Sequence, residues 1–300
     1  MHSRSATVIA TYSRRMQIAF ADGNEAVARI KGKTLRPVCG DVVCAESLPG
    51  EEDWLITGIE HRRNALSRPN RRGSAEVLAA NIDVVVVVAA ASPVPDWFIV
   101  DRYLCAAELM RADALLVYNK TDEPSPPGTA LALKNYAEVG YTVHRTSAES
   151  GEHLDDLRQS IGMRTAILVG QSGVGKSSLI NLLSGPSKQK TAGISEKSGE
   201  GRHTTVNSMM LPLPGGGAVI DSPGVRDYAP ALGAVTEAET GFREIRKAAG
   251  DCRFANCRHM REPDCAVKRA VDSGTIHARR YESYRRILRM VERLQTRSGG

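Results

Sequence analysis

Gly170-Gln171-Ser172-Gly173-Val174-Gly175-Lys176-Ser177-Ser178 is the stretch on which the reading of this chain turns. It fits G-x-x-x-x-G-K-[ST], with Gly170, Gly175, Lys176 and Ser177 on the fixed positions. A β-prone run, Thr165 to Val169, leads into it, and a helix-compatible run, Ser178 to Leu183, leads out. That order of strand, loop and helix separates a phosphate-binding loop from a chance match. The glycines let backbone N–H groups converge on a phosphate, and the helix N-terminus adds partial positive charge. Lys176 is expected to reach the β- and γ-phosphates and the Ser177 hydroxyl to bind Mg²⁺.

Around this loop, from Glu76 onward, strands and helices alternate. Ile82 to Val88 is a β-branched run interrupted only by Asp83, as expected of a parallel strand covered on both faces. A helix is predicted over Asp96 to Met110, then a strand, Ala114 to Tyr118, with Asn119-Lys120-Thr121-Asp122 at its carboxyl end. A helix over Thr129 to Val139 and a strand over Tyr141 to His144 lead to Ser147-Ala148-Glu149. A short helix, Leu154 to Ile161, returns the chain to the phosphate loop. Beyond it, the strand Ala218 to Ile220 ends at Asp221-Ser222-Pro223-Gly224. Every motif therefore lies just past the carboxyl end of a strand, where open α/β sheets bind ligands.

Together these motifs specify a guanine nucleotide. The Asp122 carboxylate accepts only, and guanine offers it N1–H and the 2-amino group. Adenine offers neither, which leaves the carboxylate unpaired. Ser147 and Ala148 are expected on the other side of the base. Asp221 is expected to hold Mg²⁺ through a water and the Gly224 N–H to sense the γ-phosphate. Between them, residues 188–206 read as a switch loop rich in Gly, Ser, Lys and Thr. Thr205 is the favoured Mg²⁺-contacting hydroxyl, with Thr204 as the other candidate. Val225 follows Gly224, where many GTPases place a water-orienting glutamine, and valine cannot act so. His203 is the substitute, against the alternative that it is an ordinary exposed histidine. The base-selecting motif precedes the phosphate loop here, the reverse of the usual order. A circular permutation explains the inversion without altering the site, because domain termini lie close together.

On either side of this centre the composition changes. Residues 1–68 read as about five short alternating strands with an Asp22-Gly23 turn, which closes naturally as an OB-type barrel able to bind oligonucleotides. Arg62, Arg63, Arg68, Arg71 and Arg72 read as a basic connector, either a candidate nucleic-acid contact or a merely solvated linker, and residues 69–235 as the nucleotide-binding domain. Residues 236–300 form a third unit. From Cys252 onward there are 12 Lys/Arg against 5 Asp/Glu, and the rest of the chain carries 28 against 29. The whole net charge of +6 is thus accounted for by the tail, which points to a polyanionic partner, or to a solvated arginine-rich helix. Arg279, Arg280, Arg285, Arg286 and Arg289 are candidate phosphate contacts, flanking a core-facing stripe of Tyr281, Tyr284, Leu288 and Val291. Cys252, Cys257, His259 and Cys265 match a closed Cys₃His zinc site, whereas Cys39, Cys44 and Cys105 read as inert core thiols.

Apolar residues make up 42% of the chain, enough for buried cores. The first residues carry no apolar signal region, and the apolar run Val84 to Ala91 falls far short of the roughly 18 residues a membrane span needs. A cytoplasmic location is expected.

Taken together, these motifs resemble the ribosome small-subunit-dependent GTPase A family of circularly permuted bacterial GTPases. The resemblance rests on Gly170 to Ser178 preceded by Asn119 to Asp122, on Gly201-Arg-His-Thr-Thr205, on Asp221 to Gly224 and on the Cys252/Cys257/His259/Cys265 set. It implies an N-terminal OB barrel, a central permuted α/β GTPase domain and a C-terminal helical zinc module. It further implies an enzyme that acts late in maturation of the small ribosomal subunit, converting GTP to GDP and phosphate; Mg²⁺ is expected from the site residues above, and a monomer is expected. Subunit-stimulated hydrolysis and a catalytic role for His203, with Lys176 and Thr205 beside it, follow from the same likeness. One departure is a short N-terminus without the basic leader that some members carry.

Overall fold

The protein is described by a computed structural model covering residues 3–13, 15–32, 34–69, 75–185, 207–222 and 235–298. Five strands come first: β1 (Ser3–Thr11), β2 (Met16–Phe20), β3 (Glu25–Ile30), β4 (Val42–Ser47) and β5 (Trp54–Ile59). Their period-2 pattern turns Val8, Ile18, Ala28, Val43 and Ile56 inward, each wholly buried. The strands pair in the order β1-β2-β3-β5-β4, and β4 returns to β1 from Ser3↔Glu46 to Thr7↔Val42. Closure leaves no free sheet edge, and the result is the five-stranded barrel expected from the sequence.

The stretch that reads as a basic connector is folded. β6 (Ala65–Pro69) and β7 (Ala75–Ala80) form an antiparallel hairpin, so residue 68 lies within a strand. Its arginines are engaged as well. Arg62 donates twice to the wholly buried Asp41, at 2.7 and 2.8 Å. Arg63 donates to Asp83 and Arg68 to Glu76, both at 2.8 Å. These three arginines complete carboxylate pairs rather than offering a free basic strip; Arg71 and Arg72 lie outside the described residues.

The central sheet follows: β8 (Val84–Ala90), α1 (Trp97–Met110), β9 (Asp113–Asn119), α2 (Thr129–Glu138), β10 (Thr142–Arg145), α3 (Leu154–Ile161), β11 (Thr165–Gly170), α4 (Lys176–Ser184), β12 (Ser208–Pro212) and β13 (Ala218–Asp221). Strands β10, β9, β8, β11 and β13 are parallel neighbours in that order, and β12 adds antiparallel. Strict alternation divides the valine run between two cores. Val85 and Val87 face α1 and α2, in one cluster with Leu104, Leu116 and Tyr136. Val84, Val86 and Val88 face α3 and α4, in another with Leu157, Leu168 and Leu179. β12, whose Met-Met-Leu-Pro run gives no β-branched signal, also pairs with β1 at Ala10↔Met209 and Thr11↔Ser208. Barrel and central sheet are thereby continuous.

Among the described residues four helices follow: α5 (Val235–Thr240), α6 (Arg243–Ala249), α7 (Ala266–Asp272) and α8 (Ala278–Ser298). Tyr284, Leu288 and Val291 are buried as their helical spacing predicts, together with Phe242 and Ile245. Cys105 of α1 belongs to the same cluster, so α1 serves the sheet on one side and this module on the other.

Of the tail arginines proposed for phosphate contact, Arg280 is instead internal and the half-buried Arg279 is bonded to the same acidic group. Arg280 is 1% exposed, donating to Asp101 at 2.8 Å and to both carboxylate oxygens of Glu244 at 2.6 and 3.0 Å. Arg279 donates to Asp101 and to the Tyr136 hydroxyl, both at 3.0 Å. Burial opposes the Arg280 charge, but Asp101 and Glu244 outweigh it and raise the group above its ordinary value. Arg286 lies over the Phe98 ring at 3.6 Å. Removing one member of such a network strands the others without water. Arg280→Met is therefore expected to destabilise the protein by about 3–5 kcal/mol. Urea unfolding followed by tryptophan fluorescence checks this, since Trp97 lies beside Arg279. An unchanged midpoint would mean that the network contributes nothing.

Candidate nucleotide site and metal centre

Asn119 ends β9, level with Ala90 of β8, and its side chain is wholly buried. Its amide makes three bonds. Nδ2 donates to the Val174 carbonyl of the phosphate loop at 3.0 Å, while Oδ1 accepts from Thr146 Oγ1 and from the Ala148 N–H, each at 3.1 Å. One side chain therefore ties the Asn119–Asp122 segment, the Ser147–Ala148 loop and the phosphate loop together. The Thr121 N–H donates to the Thr146 carbonyl at 3.1 Å, and Ser147 Oγ donates to Asp122 Oδ1. Asp122 itself is exposed, with its carboxylate oriented by that serine. Lys120 takes a left-handed φ of 60° and lies 3.8 Å from Glu123.

The phosphate loop is shaped by contact. At Gly170, with φ +144°, a Cβ would stand 2.1 Å from the Val88 carbonyl oxygen. At Gly175, with φ +93°, it would stand 2.4 Å from Asn119 Nδ2. Any other residue at Gly175 would displace the amide that joins the two loops. Val174 is buried in the core beneath, Gln171 Oε1 accepts from the Asp96 N–H at 3.2 Å, and Gly173 lies against Pro93. Ser172 is exposed. The buried Lys176 places Nζ 2.8 Å from the Gly170 carbonyl and 2.7 Å from that of Gln171, inside the loop's curve. Helix α4 starts at Lys176 with no side-chain cap and no acidic residue in its first turn, an end suited to an anion. Ser177 and Ser178 occupy that turn, the first half-buried and the second exposed. Asp221 ends β13, the strand beside β11, and is 9% exposed. His203, Thr204, Thr205, Gly224 and Val225 lie outside the described residues.

Cys252, Cys257, His259 and Cys265 converge in the C-terminal module, with their ligand atoms within 4.8 Å of one another. Cys252 Sγ and Cys265 Sγ are 3.9 Å apart, and His259 Nδ1 lies 3.5 and 3.4 Å from them. Two thiolates at ~2.3 Å from a tetrahedral ion stand about 3.8 Å apart, whereas a disulfide needs about 2.05 Å. The donor set and its spacing fit a zinc ion. Burial pushes the Cys257 thiol up to about 12, so a metal binding there must displace protons. Glu262 shapes the loop. Burial works to raise its carboxyl, but the N–H groups of Arg258, Met260 and Arg261, at 3.1, 2.8 and 3.0 Å, outweigh it and bring it down to about 2. Sequence reading missed Glu262 and also Glu239, whose carboxylate lies 3.1 Å from His259 Nε2. It missed Thr146 too; that residue precedes Ser147 and offered no signal of its own.

The fold and this site define a P-loop GTPase in which the base-selecting loop precedes the phosphate loop. The model of the RsgA GTPase family matches residues 59–230, and the chain belongs to that family. It is 36% identical over 293 residues to the small ribosomal subunit biogenesis GTPase RsgA of Actinobacillus succinogenes, covering 95% of this chain and 84% of that protein. The protein of the same name from Azotobacter vinelandii is 39% identical over 290 residues, covering 94% and 84%. Among solved structures, YjeQ from Thermotoga maritima superposes with a TM-score of 0.77 at 26% identity, covering 97% of this chain and 99% of that one. YloQ, a circularly permuted GTPase, gives 0.76 at 24% identity, covering 97% and 96%, and shares the fold. As a member of this family the protein is a GTP hydrolase.

Gly175→Ala is expected to weaken guanine-nucleotide binding by at least tenfold, because its Cβ and the Asn119 amide cannot share one place. Titration with a fluescent GDP analogue measures it, and wild-type affinity would refute the close contact.

Proposed function

We propose that this chain binds the small ribosomal subunit and hydrolyses GTP in response, acting late in the subunit's maturation. The observation that carries the guanine-nucleotide half of this reading is the Asn119 Nδ2 bond to the Val174 carbonyl, which makes base selection and phosphate grip one object. The subunit half is supported by the names of the relatives, which describe them as small ribosomal subunit biogenesis GTPases.

In this reading Asp122 accepts from the guanine edge, while Ser147 and Ala148 close over the base. Residues 170–178 wrap the phosphates with backbone N–H groups, and Lys176 offsets charge on the β- and γ-phosphates. Ser177, Thr205 and Asp221 hold Mg²⁺, which when bound offsets the charge developing between the β- and γ-phosphates. His203 orients a water for attack on the γ-phosphorus. The bond to the bridging oxygen breaks, leaving GDP and phosphate. Gly224 senses the γ-phosphate. Cys252, Cys257, His259 and Cys265 hold one structural zinc ion, closed to catalysis. The N-terminal barrel, the central GTPase unit and the C-terminal zinc module act together in a cytoplasmic monomer. No helix among the described residues is long and apolar enough to cross a membrane.

GTP cleavage measured with and without purified small subunits tests the proposal, with strong stimulation expected; equal rates would overturn it. His203→Ala should abolish most of the stimulated turnover and leave nucleotide affinity near normal, and full turnover would reject that role. Asp122→Asn should weaken GTP binding about 10–100-fold, the loss of charge-assisted hydrogen bonds, and lower the preference over ATP. Competition between the two nucleotides for the wild-type and variant chains reads that ratio.

A further inference from the structure

His259 faces the three sulfurs with Nδ1 and turns its other nitrogen onto a carboxylate. Nδ1 lies 3.5 Å from Cys252 Sγ and 3.4 Å from Cys265 Sγ, whereas Nε2 lies 3.1 Å from Glu239 Oε2. A neutral imidazole has one lone pair to give, because its second nitrogen carries the proton. If Nδ1 is the ligand, Nε2 is the N–H and Glu239 is its acceptor. The histidine is 1% exposed, so its Nε2–H finds its acceptor in Glu239 and not in bulk water. The rest of the residue is held as firmly. Its backbone sits at φ +58°, the Tyr281 hydroxyl donates to its carbonyl, and the Tyr284 ring packs 6.0 Å from the imidazole.

We propose that Glu239 is the positioning residue of the metal centre. It fixes the His259 tautomer with the proton on Nε2, aims Nδ1 at the ion, and raises the metal affinity of the whole set. The proposal rests on the reading of the four-residue cluster as a zinc site. It also gives α5 a role that its six residues do not suggest. Glu239 projects from that helix, Ala238 beside it shares a core with Cys105 of α1, and Cys257 and Cys265 line the same core. Metal loop, α5 and α1 are therefore in continuous contact, with the Glu239–His259 bond as the polar element at the metal end.

The test uses the full-length chain, stripped of metal and titrated with Co²⁺, then with Zn²⁺ in competition. Glu239→Ala should bind both ions about 10–100-fold more weakly. Glu239→Gln, whose amide oxygen still accepts from Nε2–H, should recover part of that loss. At saturation both variants should keep the thiolate charge-transfer bands and the tetrahedral visible spectrum of the wild type, since all four ligands are intact. Wild-type affinity in Glu239→Ala would overturn the proposal. So would loss of the tetrahedral spectrum at saturating Co²⁺, which would mean that the ligand set had collapsed rather than lost its orientation. A wild-type chain that binds no Co²⁺ would overturn the zinc reading and this proposal together, whereas tight wild-type binding with no effect of Glu239 would remove this proposal alone.

Discussion

The buried amide of Asn119 is the constraint on which the nucleotide site depends. Its three hydrogen bonds run to Val174, Thr146 and Ala148, which belong to loops after different strands. A buried amide with an unmet donor or acceptor costs on the order of 1–3 kcal/mol per group, so the three loops hold one another in a single arrangement. The glycine at 175 follows from this, because the amide occupies the space its side chain would need. Gly170 follows from a second close approach, that of the Val88 carbonyl on the neighbouring strand. Sequence conformity to a phosphate-loop pattern is thus the trace of two contacts that the sheet order imposes.

Helix α1 transmits this order outward. Its N-cap residue, Asp96, accepts from the N–H groups of Phe98 and Ile99 and gives its own N–H to Gln171 in the phosphate loop. One turn further on, Asp101 receives Arg279, Arg280 and Tyr136. Three donors, two of them cationic, meet this one buried carboxylate, and pairing of that kind is the condition under which buried charges persist. Phe98, under Arg286, and Cys105 extend the same helix face into the core of the C-terminal module. The module is consequently seated on α1 by apolar packing with a charged network at its centre.

What could be read from the sequence was whatever local chemistry demands. The valine run needs cover on both faces, so the strand was legible. Lys176 and Asn119 sit in patterns that have no common use other than binding nucleotides. Cys252, Cys257, His259 and Cys265 lie close enough in sequence to be seen as one set. What escaped was decided by distant partners. Arg280 reads as a surface cation in a basic tail, and only Asp101, 179 residues away, reveals that it is internal. The same holds for Arg62, whose basic context hides its pairing with buried Asp41. The β6–β7 hairpin was masked because Arg68 and Glu76 face each other across it, and a charged pair looks like a linker when its halves are read in succession.

The rotated motif order has a structural consequence that follows from these contacts. With the phosphate loop and Asp221 placed late, β13 is the last strand among the described residues, and the described elements that follow it are α5 to α8. Those helices then return to α1, the helix whose N-cap residue is bonded to the phosphate loop. The C-terminal module is therefore joined to the nucleotide site twice: along the chain through Asp221, and across space through Asp101 and Arg280. The barrel is joined at the remaining edge by the β1–β12 pairing, and β12 is itself paired to the strand that carries Asp221. The barrel thus reaches the strand that carries Asp221 through β12, and the C-terminal module reaches the phosphate loop through α1.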